Sequence, residues 1–171
     1  MSAPVPRLGN TPTRWRMQAT PIICVLIASA LPPMLPFLVQ SPTLPPFGLM
    51  FLLAWRLLHR DLWPLWIGAP LGLFDDIMSG NAIGTAVFLW SIIIITIDMI
   101  ETRILWRDYW HDWLIAILAC LFFLAGSIML SWISGAQASL RLILPQTLWS
   151  ALLYPLIVRI IAGIDRWRMM A

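Results

Sequence analysis

Apolar runs follow one another from Thr20 to Ala162, parted only by short connections, and this alternation is what most limits how the chain can fold. Inside a bilayer every backbone N–H and C=O must be paired within the protein, so runs of this kind are read as helices. With 60% hydrophobic residues, 11% charged ones and a mean hydropathy of +0.84, the chain is too apolar for an ordinary soluble domain. Its 171 residues are filled by roughly six spans of about 20 residues, which leaves no room for a separate soluble domain. The expected architecture is an all-α integral membrane protein, a six-span helical bundle with proline-bent helices.

Residues 1–19 read as a basic cytoplasmic tail carrying Arg7, Arg14 and Arg16, residues 20–163 as one membrane domain, and residues 164–171 as a second cytoplasmic tail. The spans are expected at Thr20–Val39, Phe47–Leu58, Leu62–Gly80, Ala82–Ile100, Leu114–Ile133 and Arg141–Ala162. Phe47–Leu58 is short for a full crossing. Pro32, Pro33 and Pro36 bend or end the first span, and Pro145 and Pro155 bend the last. All 11 basic residues are arginine, and with both termini cytoplasmic every one except Arg141 falls at or near a cytoplasmic end. That distribution by side, not by cluster, excludes a nucleic-acid patch. Trp55, Trp63, Trp66, Trp106, Trp110 and Trp113 fall at the same interface.

Catalytic chemistry has little to work with. His59 and His111 both lie in cytoplasmic connections, no HExxH or paired cysteine gives a metal site, and Ser79, Ser127, Ser131 and Ser134 lie toward the far side from either histidine. Cys24 and Cys120 sit in apolar runs, where a thiol behaves as a small hydrophobe. The reading is a non-enzyme without metal or cofactor. The connector Glu101–Trp113 places Arg103, Trp106, Arg107 and Trp110 at helical spacing, as an interfacial docking surface or as a headgroup anchor.

The remaining chemistry lies in Gly68–Gly84, where Asp75 and Asp76 fall late in the third span. Counting in fours from Asp76 gives Gly68, Gly72, Gly80 and Gly84, a face of small residues on which another helix packs closely. A carboxylate inside lipid needs a partner. Three readings stand: Asp76, helped by Ser79, bonds across a close helix contact or caps the half-helix beginning near Asn81; Asp75 or Asp76 pairs with Arg141; or the two carboxylates titrate as part of a proton or cation path. Adjacent residues on a helix point about 100° apart, so the two cannot share one partner.

Gly72, Asp76, Ser79, Gly80 and Gly84 form the pattern G-x-x-x-D-x-x-S-G-x-x-x-G in the third of six spans, and in this the chain resembles the rod shape-determining MreD family. The resemblance implies a non-enzymatic scaffold of the bacterial cell-elongation machinery in the cytoplasmic (inner) membrane, serving cell shape and lateral peptidoglycan synthesis. The implied partner is MreC, and through it RodA, its transpeptidase partner and MreB. It also implies a fold like the S components of energy-coupling vitamin transporters, which makes a substrate-binding transporter subunit the alternative function. Span 1 holds Ala28 and Ala30 but lacks the AxxxA pattern those components use for docking.

Overall fold

The computed structural model describes residues 14–34, 44–59, 62–102, 109–135 and 140–170. Among them the chain is helical without strands, in six α-helices: α1 (Arg14–Met34), α2 (Phe47–Leu58), α3 (Gly68–Ser79), α4 (Thr85–Glu101), α5 (Tyr109–Ile133) and α6 (Ile143–Met170). Single 3-10 turns at Leu65–Ile67 and Leu140–Leu142 lead into α3 and α6. Two helices, Tyr109–Ile133 and Ile143–Met169, are long and apolar enough to cross a membrane.

The centre of the bundle is α2. Its sequence FGLMFLLAWRLL is apolar on nearly every side, and a helix with no polar stripe is stable only when surrounded. Leu49, Met50, Leu52, Leu53 and Trp55 are fully buried, enclosed by α1, α5 and α6. At 12 residues α2 is about 18 Å long, well short of the roughly 30 Å hydrocarbon layer. Its shortness suits a helix held among neighbours, which satisfy at its ends what lipid would not.

Several boundaries differ from the sequence expectation, among them the starts of α1 at Arg14, six residues before Thr20, and of α5 at Tyr109, five before Leu114. The third span does not begin at Leu62: Pro64 is extended (φ −66°, ψ 155°), so the chain turns there, passes through the 3-10 turn and becomes α-helical only at Gly68. The fourth starts at Thr85, because Gly80 and Gly84 hold left-handed backbone (φ 68° and 102°) and fold residues 80–84 into a turn. The last helix continues beyond Ala162 to Met170, so the expected C-terminal tail is helical. The expected basic tail, residues 1–19, is helical from Arg14 onward as the start of α1, while residues 1–13 and the bend expected at Pro36 lie outside the described residues; Pro32 and Pro33 fall inside the last turn of α1.

Candidate functional site

Among the described residues, Gly48 at the start of α2 and Gly84 at the start of α4 both meet the last turns of α3 at one end of the bundle, and the C-termini of α2, α4 and α6 gather at the other, where Arg56 meets Glu101 and His59 meets Asp165. Asp76 belongs to the first end. It is 1% exposed, and both carboxylate oxygens are used: Oδ2 accepts the backbone N–H of Gly84 at 2.8 Å and Oδ1 that of Ala86 at 2.8 Å. These are amides of the first turn of α4, which have no partner inside their own helix and lie at the positive end of its dipole. Gly84, the residue in the cap position, has no side chain to do this, and Asp76 supplies the cap from the preceding helix. One turn earlier, a Cβ on Gly72 would come within 2.8 Å of the backbone C and O of Ala86 and the N of Val87. At Gly68 it would come within 2.7 Å of Ile94 Cδ1. The face of small residues is therefore occupied by α4 of the same chain, with Gly68, Gly72 and Asp76 along it. Gly80 and Gly84 do not extend that seam; they shape the turn, with open space where a Cβ would be. Ser79 is exposed and takes no part in the cap.

Asp75 points the other way. It is 7% exposed and faces α1 and α2, where a Cβ on Gly48 would collide with Ser29 Oγ and come within 2.7 Å of Asp75 Oδ1. Ser29 is itself 2% exposed and makes no hydrogen bond of regular geometry. Arg141 lies in the 3-10 turn before α6 with an exposed side chain, and among the described residues no ion pair joins it to either carboxylate. Both oxygens of Asp76 accept backbone amides of the same chain.

The opposite end holds a second polar assembly. Arg56 on α2, with a side chain only 4% exposed, reaches Asp98 at 2.6 Å and Glu101 at 3.5 Å, both on α4. His59 Nε2 lies 2.9 Å from Asp165 on α6, whose other oxygen meets Arg168 at 2.6 Å. The Arg168 guanidinium also stands 5.3 Å above the Trp55 ring. Charges this buried persist only when paired, and here the pairing ties α2 to α4 on one side and to α6 on the other.

Compared with family models, residues 14–163 match the rod shape-determining protein MreD. The chain belongs to the MreD family. No curated protein and no solved structure matches it. Membership makes it a rod shape-determining membrane protein of a structural, not an enzymatic, family.

Within this MreD chain, Arg103, Trp106 and Arg107 of the connector lie outside the described residues. Trp110 is 68% exposed at the start of α5 and stacks edge-on with Trp113 (centroids 5.8 Å, planes at 87°). Trp113 donates its indole N–H to the Ala151 carbonyl at 3.0 Å and so fastens α5 to α6. Sequence reasoning missed the Arg56 and Asp165 clusters, since their partners lie 42 and 106 residues away. The available signal was Arg56 within an otherwise wholly apolar helix, a charge with no neighbour of opposite sign on its own turn. Gly48 and Gly126 were also missed; the second lets α5 approach Leu89 of α4.

Proposed function

We propose that the chain is the MreD subunit of the bacterial elongation machinery, a multi-pass scaffold of the inner membrane with six spans and cytoplasmic termini. It binds MreC and, through MreC, couples RodA, its transpeptidase partner and MreB to lateral peptidoglycan synthesis. The family match over residues 14–163 carries this reading. Two further observations support it. The buried polar side chains described above join one helix to another, as Asp76 does for α3 and α4 and Arg56 for α2 and α4. The groove of about 300 Å³ between α4 and α5 is walled by apolar side chains such as Ile97, Leu118 and Phe122. Its one hydroxyl, Thr96, already bonds the Ile92 carbonyl, so the groove offers none of the convergent polar groups a vitamin needs.

Depletion in the native host tests the proposal. Loss of rod shape with vitamin uptake unchanged, together with capture of MreC by the tagged protein from solubilised membranes, is the expected result. Intact shape with a new vitamin requirement would replace the scaffold with a transporter subunit.

A further inference from the structure

Two carboxylates adjacent in sequence have opposite surroundings here. Asp76 accepts two backbone N–H groups at a helix N-terminus. Asp75 has no such donors. It sits 7% exposed against α1 and α2, and beside it stands Ser29 Oγ, 2% exposed and without a regular hydrogen bond. Gly48 contributes no side chain to this contact, and no arginine or histidine among the described residues pairs with Asp75. The charged group nearest in the chain is Asp76, of the same sign.

Magnitudes decide the state of this pair. One hydroxyl donating to a carboxylate offsets only part of what holding an ion away from water costs. A neighbouring negative charge adds to the cost. A carboxylic acid needs no such compensation, and its O–H gives the Ser29 oxygen the partner it lacks.

We propose that Asp75 and Ser29 form a buried proton-binding site, in which Asp75 is carried as the neutral acid and donates its hydrogen bond to Ser29 Oγ, joining α3 to α1. The proton is the ligand and the acidic oxygen of Asp75 its seat. Losing it leaves a charge among α1, α2 and α3 with no cation among the described residues to meet it, so the α1–α3 contact loosens as pH rises. Stability contributed by this site is present when the acid is protonated and is lost on the alkaline side.

The test uses the full chain in lipid nanodiscs. The melting temperature is followed from mildly acidic to alkaline pH for wild type, Asp75→Asn and Ser29→Ala. Because His59, Asp98, Glu101 and Asp165 also titrate, the quantity read is the difference between wild type and Asp75→Asn. Wild type is expected to lose melting temperature with rising pH relative to Asp75→Asn, whose neutral amide fills the same space and still donates. Infrared spectra of wild type at neutral pH are expected to show a protonated-carboxyl C=O stretch that Asp75→Asn removes, and Ser29→Ala is expected to shift it. Parallel pH profiles together with no such stretch overturn the proposal. A melting temperature that follows sodium concentration and not pH would overturn it too, assigning a cation to the site.

Discussion

Asp76→Ala strands the buried Ala86 N–H and the half-buried Gly84 N–H at the start of α4, where one acceptor group now serves both. Losing a cap of this kind while leaving donors unsatisfied costs about 2–4 kcal/mol, and Asp76→Asn, which keeps one acceptor oxygen, costs less. The ordering Asp76→Ala, then Asp76→Asn, then wild type in melting temperature checks this; equal melting temperatures for all three would contradict it. The glycines divide in the same way. Gly72→Ala drives a Cβ into the backbone of α4 and is expected to destabilise by about 1–3 kcal/mol. Gly68→Ala meets the end of the Ile94 side chain, which can rotate away, and the α4 backbone only at 3.3 Å (Ser91 N and Trp90 C), so it costs less than Gly72→Ala. Gly80→Ala meets no atom, yet its left-handed backbone costs about 1–2 kcal/mol. Spacing by four placed Gly68, Gly72 and Asp76 on one face, since helical geometry follows from sequence directly. What filled that face was not legible. It depended on a turn of two left-handed glycines that brings Ala86 back beside Gly72, and the same turn removed Gly80 and Gly84 from the seam.

The helices are joined by ions at one end and by backbone contacts at the other. Arg56→Ala removes a buried cation that meets both Asp98 and Glu101 and is expected to cost about 3–5 kcal/mol, while Asp98→Ala, whose side chain is 42% exposed, costs far less. A double-mutant cycle on Arg56 and Glu101, read by thermal melting, is expected to give a coupling above the experimental error; additive losses would mean that the two do not interact. Arg168→Ala removes both the Asp165 pair and the contact over Trp55, so it is expected to destabilise more than Asp165→Asn. Most helices were legible from hydropathy alone, including the short α2. Its place at the centre was not, because a short apolar run reads the same whether lipid or protein surrounds it. The extension of α6 to Met170 escaped notice for a related reason: Asp165 and Arg168 look like a solvated tail until His59 and Trp55 are brought beside them.

At the scale of the whole molecule, the helices of the described residues put the α3–α4 turn, beside the start of α2, and the end of α6, beside the end of α2, at opposite ends. In a background of Cys24→Ala and Cys120→Ala, the variants Ile83→Cys and Trp167→Cys are therefore expected to label from opposite faces of sealed vesicles, both positions being well exposed. Labelling from one face would contradict the proposed six-span topology. The same frame carries the central claim, that buried charge in this MreD-family chain holds helices in place so that a partner can be engaged. The most direct measurement replaces the chromosomal copy with Asp76→Ala and follows melting temperature in membranes, MreC capture and cell shape together. All three are expected to fail in step. A variant that melts like wild type and captures MreC normally, yet leaves cells round, would contradict the account and give Asp76 a role beyond holding the fold.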